Sequence, residues 1–199
     1  ILHGKLCSLD CTFPLKISEK YLPLTDQFVH LHNHSEYSLL DGFSRLGDMV
    51  NRAVELGQPA IALTDHGNLH GAIDIYQSAK NAGIKPIIGV EGYVSDGPRD
   101  EKNPQKRSPF HMTVLAQNRV GYQNLMKLVT ASHIEGFYYR PRMDREILEK
   151  YSEGLIVLSG CPSGELARYI KNRDMDAVKE TLEWYGNVFQ DRYYLEMMM

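Results

Sequence analysis

Residues 60–90 read AIALTDHGNLHGAIDIYQSAKNAGIKPIIGV. The run opens on Ala60–Thr64, a continuous apolar stretch of the kind that forms a strand buried on both faces. Ala72–Ala82 then carries helical periodicity and stops at Gly83, and Pro86–Val90 is a second apolar strand. Strand, helix, strand is the repeating unit of an α/β sheet or barrel with parallel strands. The same alternation extends in both directions. Upstream, Leu46, Met49, Val50, Ala53 and Val54 follow the spacing of a helix with one buried stripe, ended by Gly57, and Gln27–Leu31 is a strand candidate. Downstream come strands at Met112–Ala116, Leu155–Ser159 and Tyr193–Leu195, and helices at Val120–Ser132, Glu165–Ile170 and Ala177–Phe189. Six candidate strands are too few for a closed eight-stranded barrel, which takes about 250 residues.

The rest of the composition narrows the class. The 199 residues are 43% apolar and 24% charged with a net charge of −3, ordinary for a globular protein and not for a strongly basic nucleic-acid binder. No run approaches the ~18 apolar residues of a membrane span. The first residues, ILHGKLCSLDCTF, lack the pattern of a secretory signal. Cys7, Cys11 and Cys161 are too sparse for a disulfide framework, so a reducing, cytoplasmic setting is expected. Cys7 and Cys11 have no second ligand pair nearby and are not read as a zinc site. Residues 1–27 show no clear period and stay unassigned. Ile1 in place of Met, and Met197-Met198-Met199 directly after a strand, lead us to expect a piece of something longer.

Eight histidines are the unusual feature, four of them between positions 30 and 66. In FVHLHNHSEYSLLDG, His30, His32 and His34 alternate, so on a strand all three would share one face. Two such imidazoles can grip one metal ion, although histidines at a strand end also serve simply as a polar rim. The later strands sharpen the choice. Leu63-Thr64 runs into Asp65-His66-Gly67, Val90 into Glu91-Gly92, and Leu158-Ser159-Gly160 into Cys161. Ligands bind at the carboxyl ends of strands in such folds. Imidazole, carboxylate and thiolate arriving there together form a donor set suited to zinc, manganese or iron. His111 opens its strand instead of closing it, which fits a strand running antiparallel or a displaced boundary. Asp41 lies in a Leu-Leu-Asp-Gly turn, where aspartate is also a favoured turn residue.

FVHLHNHSEYSLLDG, ALTDHGNLHG, GIKPIIGVEGYV, FHMTVLAQNRVGYQNL, GFYYRPRMD and GLIVLSGCPSGEL resemble, in order, the polymerase-and-histidinol-phosphatase (PHP) domain at the amino terminus of bacterial DNA polymerase III alpha subunits. The resemblance runs from about Phe28 to Leu195, and we assign residues 28–199 to this domain. It implies a distorted (β/α)7 barrel holding up to three divalent metal ions. Matched motif by motif, it implies His32, His34, Asp41, His66, Glu91, His111 and Cys161 as metal ligands. His30 has no ligand counterpart and is expected in the core or behind a ligand, with Asp65 as a carboxylate orienting an imidazole. The family's closing Asp-x-His ligand pair lies beyond the strand matched by Tyr193–Leu195, so the barrel is expected to be incomplete and the isolated chain nearly inactive.

The implied chemistry is metal-dependent phosphodiester hydrolysis, as 3′→5′ exonuclease proofreading, in a protein whose full-length form is a DNA-directed DNA polymerase working on DNA with other replicase subunits. Two alternatives stay open: a free-standing phosphoesterase acting on small phosphate monoesters, and a non-catalytic module of the polymerase. The polar stretch Asp96–Ser108 is expected to be a mobile loop. Its Arg99, Lys102, Lys106 and Arg107, with Arg140, Arg142 and Arg145, are expected on a solvated surface, with DNA phosphate contact as the alternative. Tyr138 and Tyr139 are expected to pack rather than to stack on bases.

Overall fold

The computed structural model describes residues 28–39 and 41–197. Residues 1–27, with Cys7, Cys11 and the start of the expected first strand, lie outside the described residues, as do Leu40, Met198 and Met199. Seven strands and six α-helices are formed among the described residues. In chain order they are α1 (Leu46–Glu55), β1 (Ala60–Leu63), α2 (Ala72–Asn81), β2 (Lys85–Val94), β3 (Phe110–Ala116), α3 (Arg119–Ile134), β4 (Phe137–Tyr138) and β5 (Arg140–Met143). They continue with α4 (Arg145–Lys150), β6 (Leu155–Leu158), α5 (Glu165–Lys171), α6 (Met175–Phe189) and β7 (Tyr193–Tyr194).

The sheet runs β4-β5-β2-β3-β6-β7, with β1 also paired to β2. The long β2 organises it: β1 lies parallel along Lys85–Ile88, and β5 lies parallel against Tyr93 and Val94. Four residues of β1 are all buried, as a strand covered on both faces requires. The sheet does not close on itself among the described residues, so the architecture is an incomplete α/β barrel. No helix among the described residues is long and apolar enough to cross a membrane.

Local chemistry explains the helices. Asn118, Asp144 and Asp174 cap α3, α4 and α6 by accepting from the backbone N–H of Gly121, Ile147 and Ala177. Helix α1 buries Leu46, Val50 and Ala53 against Ile61, Leu63, Ile75 and Ala79. A larger core joins Val90, Val94 and Val114 of the sheet to Leu125, Leu128, Leu148 and Phe189. Each such fully buried side chain contributes about 1.5–3 kcal/mol.

Four expectations need correction. The sheet is mixed, not parallel, because β3 runs antiparallel to both β2 and β6. Strand β2 does not stop at Val90. Glu91 sits within it, and Gly92 continues the strand because its missing side chain leaves room for Met143, whose sulfur lies 3.2 Å from where a Cβ would stand. The segment before α1 is not a regular strand in its described part. It follows β1 through only two backbone hydrogen bonds, from Ala62 N to His30 O and from Thr64 N to Asn33 O. Finally, the 96–108 connection is tethered. Arg99 pairs with Glu135, Asp144 and Glu146, and the Arg142 guanidinium donates to the carbonyls of Arg99, Glu101 and Gly136. Arg142 is therefore buried, not solvated.

Candidate metal centre

Sheet register sets the site. Glu91 and Tyr93 occupy alternate positions of β2 and so share a face, opposite Thr113 and His111 of β3. His66 forms a bridge to Glu91 from the other side, just beyond the end of β1. The reversal of β3 is what brings His111, at the start of its strand, to the end where β1 and β2 finish.

Three further contributors, His32, His34 and Asp41, come from the irregular 30–45 segment, which is held by a buried carboxylate. Asp65 accepts from Ser35 N (2.7 Å), Ser35 Oγ (2.8 Å) and Ser38 Oγ (2.7 Å), and Ser38 Oγ in turn accepts from His66 N (3.1 Å). Asp65 therefore fixes the loop that carries His34 and Asp41 and does not touch an imidazole, contrary to expectation. Gly42 is needed here for close approach: a Cβ would stand 1.8 Å from Ser35 O. His30 lies exposed outside the cluster, edge-on to Phe28, and neither belongs to the core nor backs a ligand.

Glu91 is at the centre. It is 1% exposed and faces four imidazoles. His34 Nε2 and His66 Nδ1 approach Oε2 at 3.0 and 2.7 Å, while His111 Nδ1 and His32 Nε2 approach Oε1 at 2.8 and 3.5 Å. Asp41, half exposed, meets His66 Nε2 at 2.8 Å and His34 Nδ1 at 3.8 Å. Cys161 Sγ lies 3.6 Å from His111 Nδ1. Three overlapping groups, His32/His34/Glu91, His34/Asp41/His66 and His66/Glu91/His111, each keep their donor atoms within 4.8 Å of one another. The structure thus brings six of the seven expected residues into one cluster, with Cys161 beside it.

The electrostatics are those of a site crowded with donors. Burial pushes the Glu91 carboxyl up, but the close imidazoles of His111, His32, His34 and His66 outweigh it and hold Glu91 well below the usual carboxylate range. Burial likewise opposes charge on His32, yet Glu196 and Glu91 raise it to about 10. His111 rises to about 9 against its burial, through Cys161 and Glu91, and His66 rises through Glu91 and Asp41. Cys161 is depressed, because the hydrogen bond with His111 outweighs burial. Two buried atoms, His66 Nδ1 and Glu91 Oε2, make no hydrogen bond although they face each other. Such lone-pair atoms converging without partners, in a set of imidazoles, carboxylates and a nearby thiol, fit a divalent cation.

Sequence reading missed Glu196. Its carboxylate Oε1 lies 2.6 Å from His32 Nδ1, and Oε2 accepts from Thr113 Oγ1 at 3.1 Å. The missed signal is of a kind used elsewhere: a carboxylate directly after an apolar strand, as at Glu91. Tyr93 was also unassigned, and its ring stacks on His66 (5.8 Å between centroids) and stands edge-on to His111. Among the basic residues, Arg145 is engaged by Glu165 and Glu180, Lys106 by Asp96, and Arg107 lies over Tyr139. Arg140 is exposed, with its guanidinium over the Tyr93 ring.

The alpha subunit of DNA polymerase III from Borreliella burgdorferi is 49% identical over 86% of this chain and 15% of its own length. Its counterpart from Campylobacter jejuni is 44% identical over the same shares. The chain therefore spans about 15% of the length of the curated relatives it matches. A solved amidohydrolase from Chromobacterium violaceum, 14% identical, overlaps 83% of this chain and 84% of its own with a TM-score of 0.48, too loose a likeness to bear on chemistry. The model of the PHP domain matches residues 30–199, and with the strand-end cluster of histidines and carboxylates in place the chain belongs to the PHP domain family.

Proposed function

We propose that this segment is a divalent-metal-dependent phosphodiesterase that removes nucleotides from the 3′ end of DNA, as the PHP domain of a bacterial DNA polymerase III alpha subunit. The observation that carries the reading is the sharing of donors. Glu91, His34 and His66 each belong to two of the three donor groups, so neighbouring cations would be held close together. His32, His34, Asp41, His66, Glu91, His111 and Cys161 are the residues that would hold them, and zinc, manganese and iron all suit this set. Cations bound there supply Lewis-acid polarisation of a phosphate and acidify a water toward neutral pH.

The chain's own residues do the rest. Glu91, kept ionised by its four imidazole neighbours, supplies negative charge without needing a change of protonation. Tyr93 walls the cluster on the His66 and His111 side, and Arg140 above it is a cation available to a DNA phosphate. A groove of about 730 Å³ lies beside His34 along α1, lined by Phe43, Arg45, Met49 and Arg52 together with Glu36 and Asp48. The complete protein, on this reading, is a DNA-directed DNA polymerase that works in the cytoplasm with other replicase subunits.

The test is hydrolysis by this chain and by one extended through the rest of the polymerase, each stripped of metal and resupplied with manganese or zinc, with the extended form expected to be the more active. Release of 3′ nucleotides from single-stranded DNA, abolished by chelator, supports the proposal. Hydrolysis of small phosphate monoesters with none of DNA assigns a free-standing phosphoesterase instead. No hydrolysis of either, by this chain or by one extended through the rest of the polymerase, leaves a structural module.

A further inference from the structure

We infer that Glu196 is a positioning residue for the metal centre: its carboxylate accepts the Nδ1–H of His32 and so fixes that ring with Nε2 turned into the cluster. The inference rests on the metal-binding reading above and extends it to a residue that belongs to none of the donor groups.

The geometry has three parts. First, His32 presents its two nitrogens to different surroundings. Nε2 faces inward, 3.3 Å from His34 Nε2 and 3.5 Å from Glu91 Oε1, and Nδ1 faces Glu196 Oε1 at 2.6 Å. A carboxylate oxygen facing Nδ1 accepts its N–H, so Nδ1 keeps its proton and Nε2 is the nitrogen that would give up its proton to a cation. Second, Glu196 is itself held at both ends. Its backbone N–H donates to Ser159 Oγ at 2.9 Å, and Thr113 Oγ1 donates to Oε2 at 3.1 Å. With its own proton spent on Glu196, Thr113 Oγ1 is also placed to accept from His32 Nδ1, 3.1 Å away. Third, Glu196 and His32 are each about 10% exposed in their side chains, so water competes weakly for the pair.

His32 needs this support more than its neighbours do. His66 is clamped between Asp41 and Glu91 through its two nitrogens, and Glu91 and Cys161 both approach His111 Nδ1. His34 likewise meets Glu91 and Asp41. Those contacts all lie inside the cluster. Among the described residues, His32 is the imidazole of the cluster anchored from outside it. Its anchor reaches the site through β7, whose parallel pairing with β6 delivers Glu196 beside Ser159. A carboxylate behind a metal-bound imidazole sets its tautomer and orientation, and loss of one typically costs 10–100-fold in metal affinity.

The experiment compares the full chain with its Glu196→Ala and Glu196→Gln variants, using zinc as the probe. Zinc affinity is measured by competition with a chromophoric chelator, and the His32 Nδ1–H resonance is followed by NMR in the zinc-loaded protein. Glutamine keeps an oxygen that accepts from Nδ1 but cannot act as an anionic ligand. The expected result is a 10–100-fold loss of affinity and loss of the protected Nδ1–H signal in Glu196→Ala, with both restored in Glu196→Gln. An Ala variant that binds zinc like wild type and keeps the resonance overturns the inference while leaving the metal-binding reading intact. A Gln variant as weak as Ala overturns it too, because Glu196 would then be a ligand in its own right. Absence of zinc binding by the wild-type chain overturns the metal-binding reading and this inference with it.

Discussion

Glu91 Oε2 lies 2.7 Å from His66 Nδ1, both atoms are buried, and neither is hydrogen-bonded. Unmet buried polar atoms cost about 1–3 kcal/mol each, so this contact is a standing demand for a partner. Because Glu91 also serves the His32/His34 group, its loss acts on two of the three donor groups at once. Glu91→Gln should lower bound metal per chain further than His111→Ala does, as counted by mass spectrometry of the desalted protein. The double change His32→Ala with His34→Ala should also cut metal content sharply yet leave the circular dichroism spectrum unchanged, since neither ring lies in the apolar core. Unaltered stoichiometry in that double variant would remove the site assignment.

Metal-free protein should lose stability as pH rises above neutrality. His32 and His111 are raised from 6.5 to about 10 and about 9 in the folded chain, so they stabilise it fully below about pH 6.5. That contribution disappears as pH climbs through the folded values. Glu91 works in the opposite sense, stabilising above its ordinary value near 4.5 and losing effect only in strong acid. Thermal midpoints of the chelated protein should therefore fall between pH 6.5 and 10. Each kcal/mol lost corresponds to about 2–4 °C in a chain of this size. Zinc should flatten the profile and release protons on binding, which calorimetry in buffers of different ionisation enthalpy would register.

Cys161 should behave as a reactive thiol in the metal-free chain and as a protected one when metal is present. It is partly exposed, and His111 depresses its pKa. Peptide mapping after brief alkylation separates it from Cys7 and Cys11. Equal labelling of Cys161 with and without zinc would show an inert thiol instead of a ligand.

Much of this was legible in the sequence for simple reasons. Strand β1 and helices α1 and α2 follow from uninterrupted apolar runs and regular spacing, and His66, Glu91 and Cys161 each follow an apolar run, whereas the full set of seven metal-competent residues is implied by the family motifs. What the sequence concealed were relationships between distant segments. The continuation of β2 from Glu91 to Val94 rests on pairing with the reversed β3 and, at Tyr93 and Val94, with β5, a four-residue strand too short and polar to signal itself. The reversal of β3 shows only in the placing of His111 at its start. Asp65 reads as a companion of His66 because they are adjacent, but in the fold it turns away, toward Ser35 and Ser38. The arginines looked free because most of their carboxylate and carbonyl partners lie 20 to 47 residues away.

Asp65→Asn should test that last assignment of the loop. The amide can accept through one atom only, so at least one donor among Ser35 and Ser38 loses its partner, at about 1–3 kcal/mol. Metal affinity should fall with it, although Asp65 touches no donor atom of the cluster. A variant with a lowered melting point but unchanged zinc affinity would mean that the 35–44 segment keeps its place without this carboxylate.

Strands β2 and β3 are joined on the same side of the sheet as the cluster, with Val94 and Phe110 facing each other where the connection begins and ends. Residues between them never cross the sheet. Their number is thus unconstrained by the span that a helix must bridge between parallel strands, and the register of both strands survives a change in it. Insertions and deletions accumulated over evolutionary descent should therefore concentrate at this rim, provided the Arg99 and Arg142 tethers are kept. New recognition of a substrate could arise there by lengthening the chain, while the histidines and Glu91 below stay as they are.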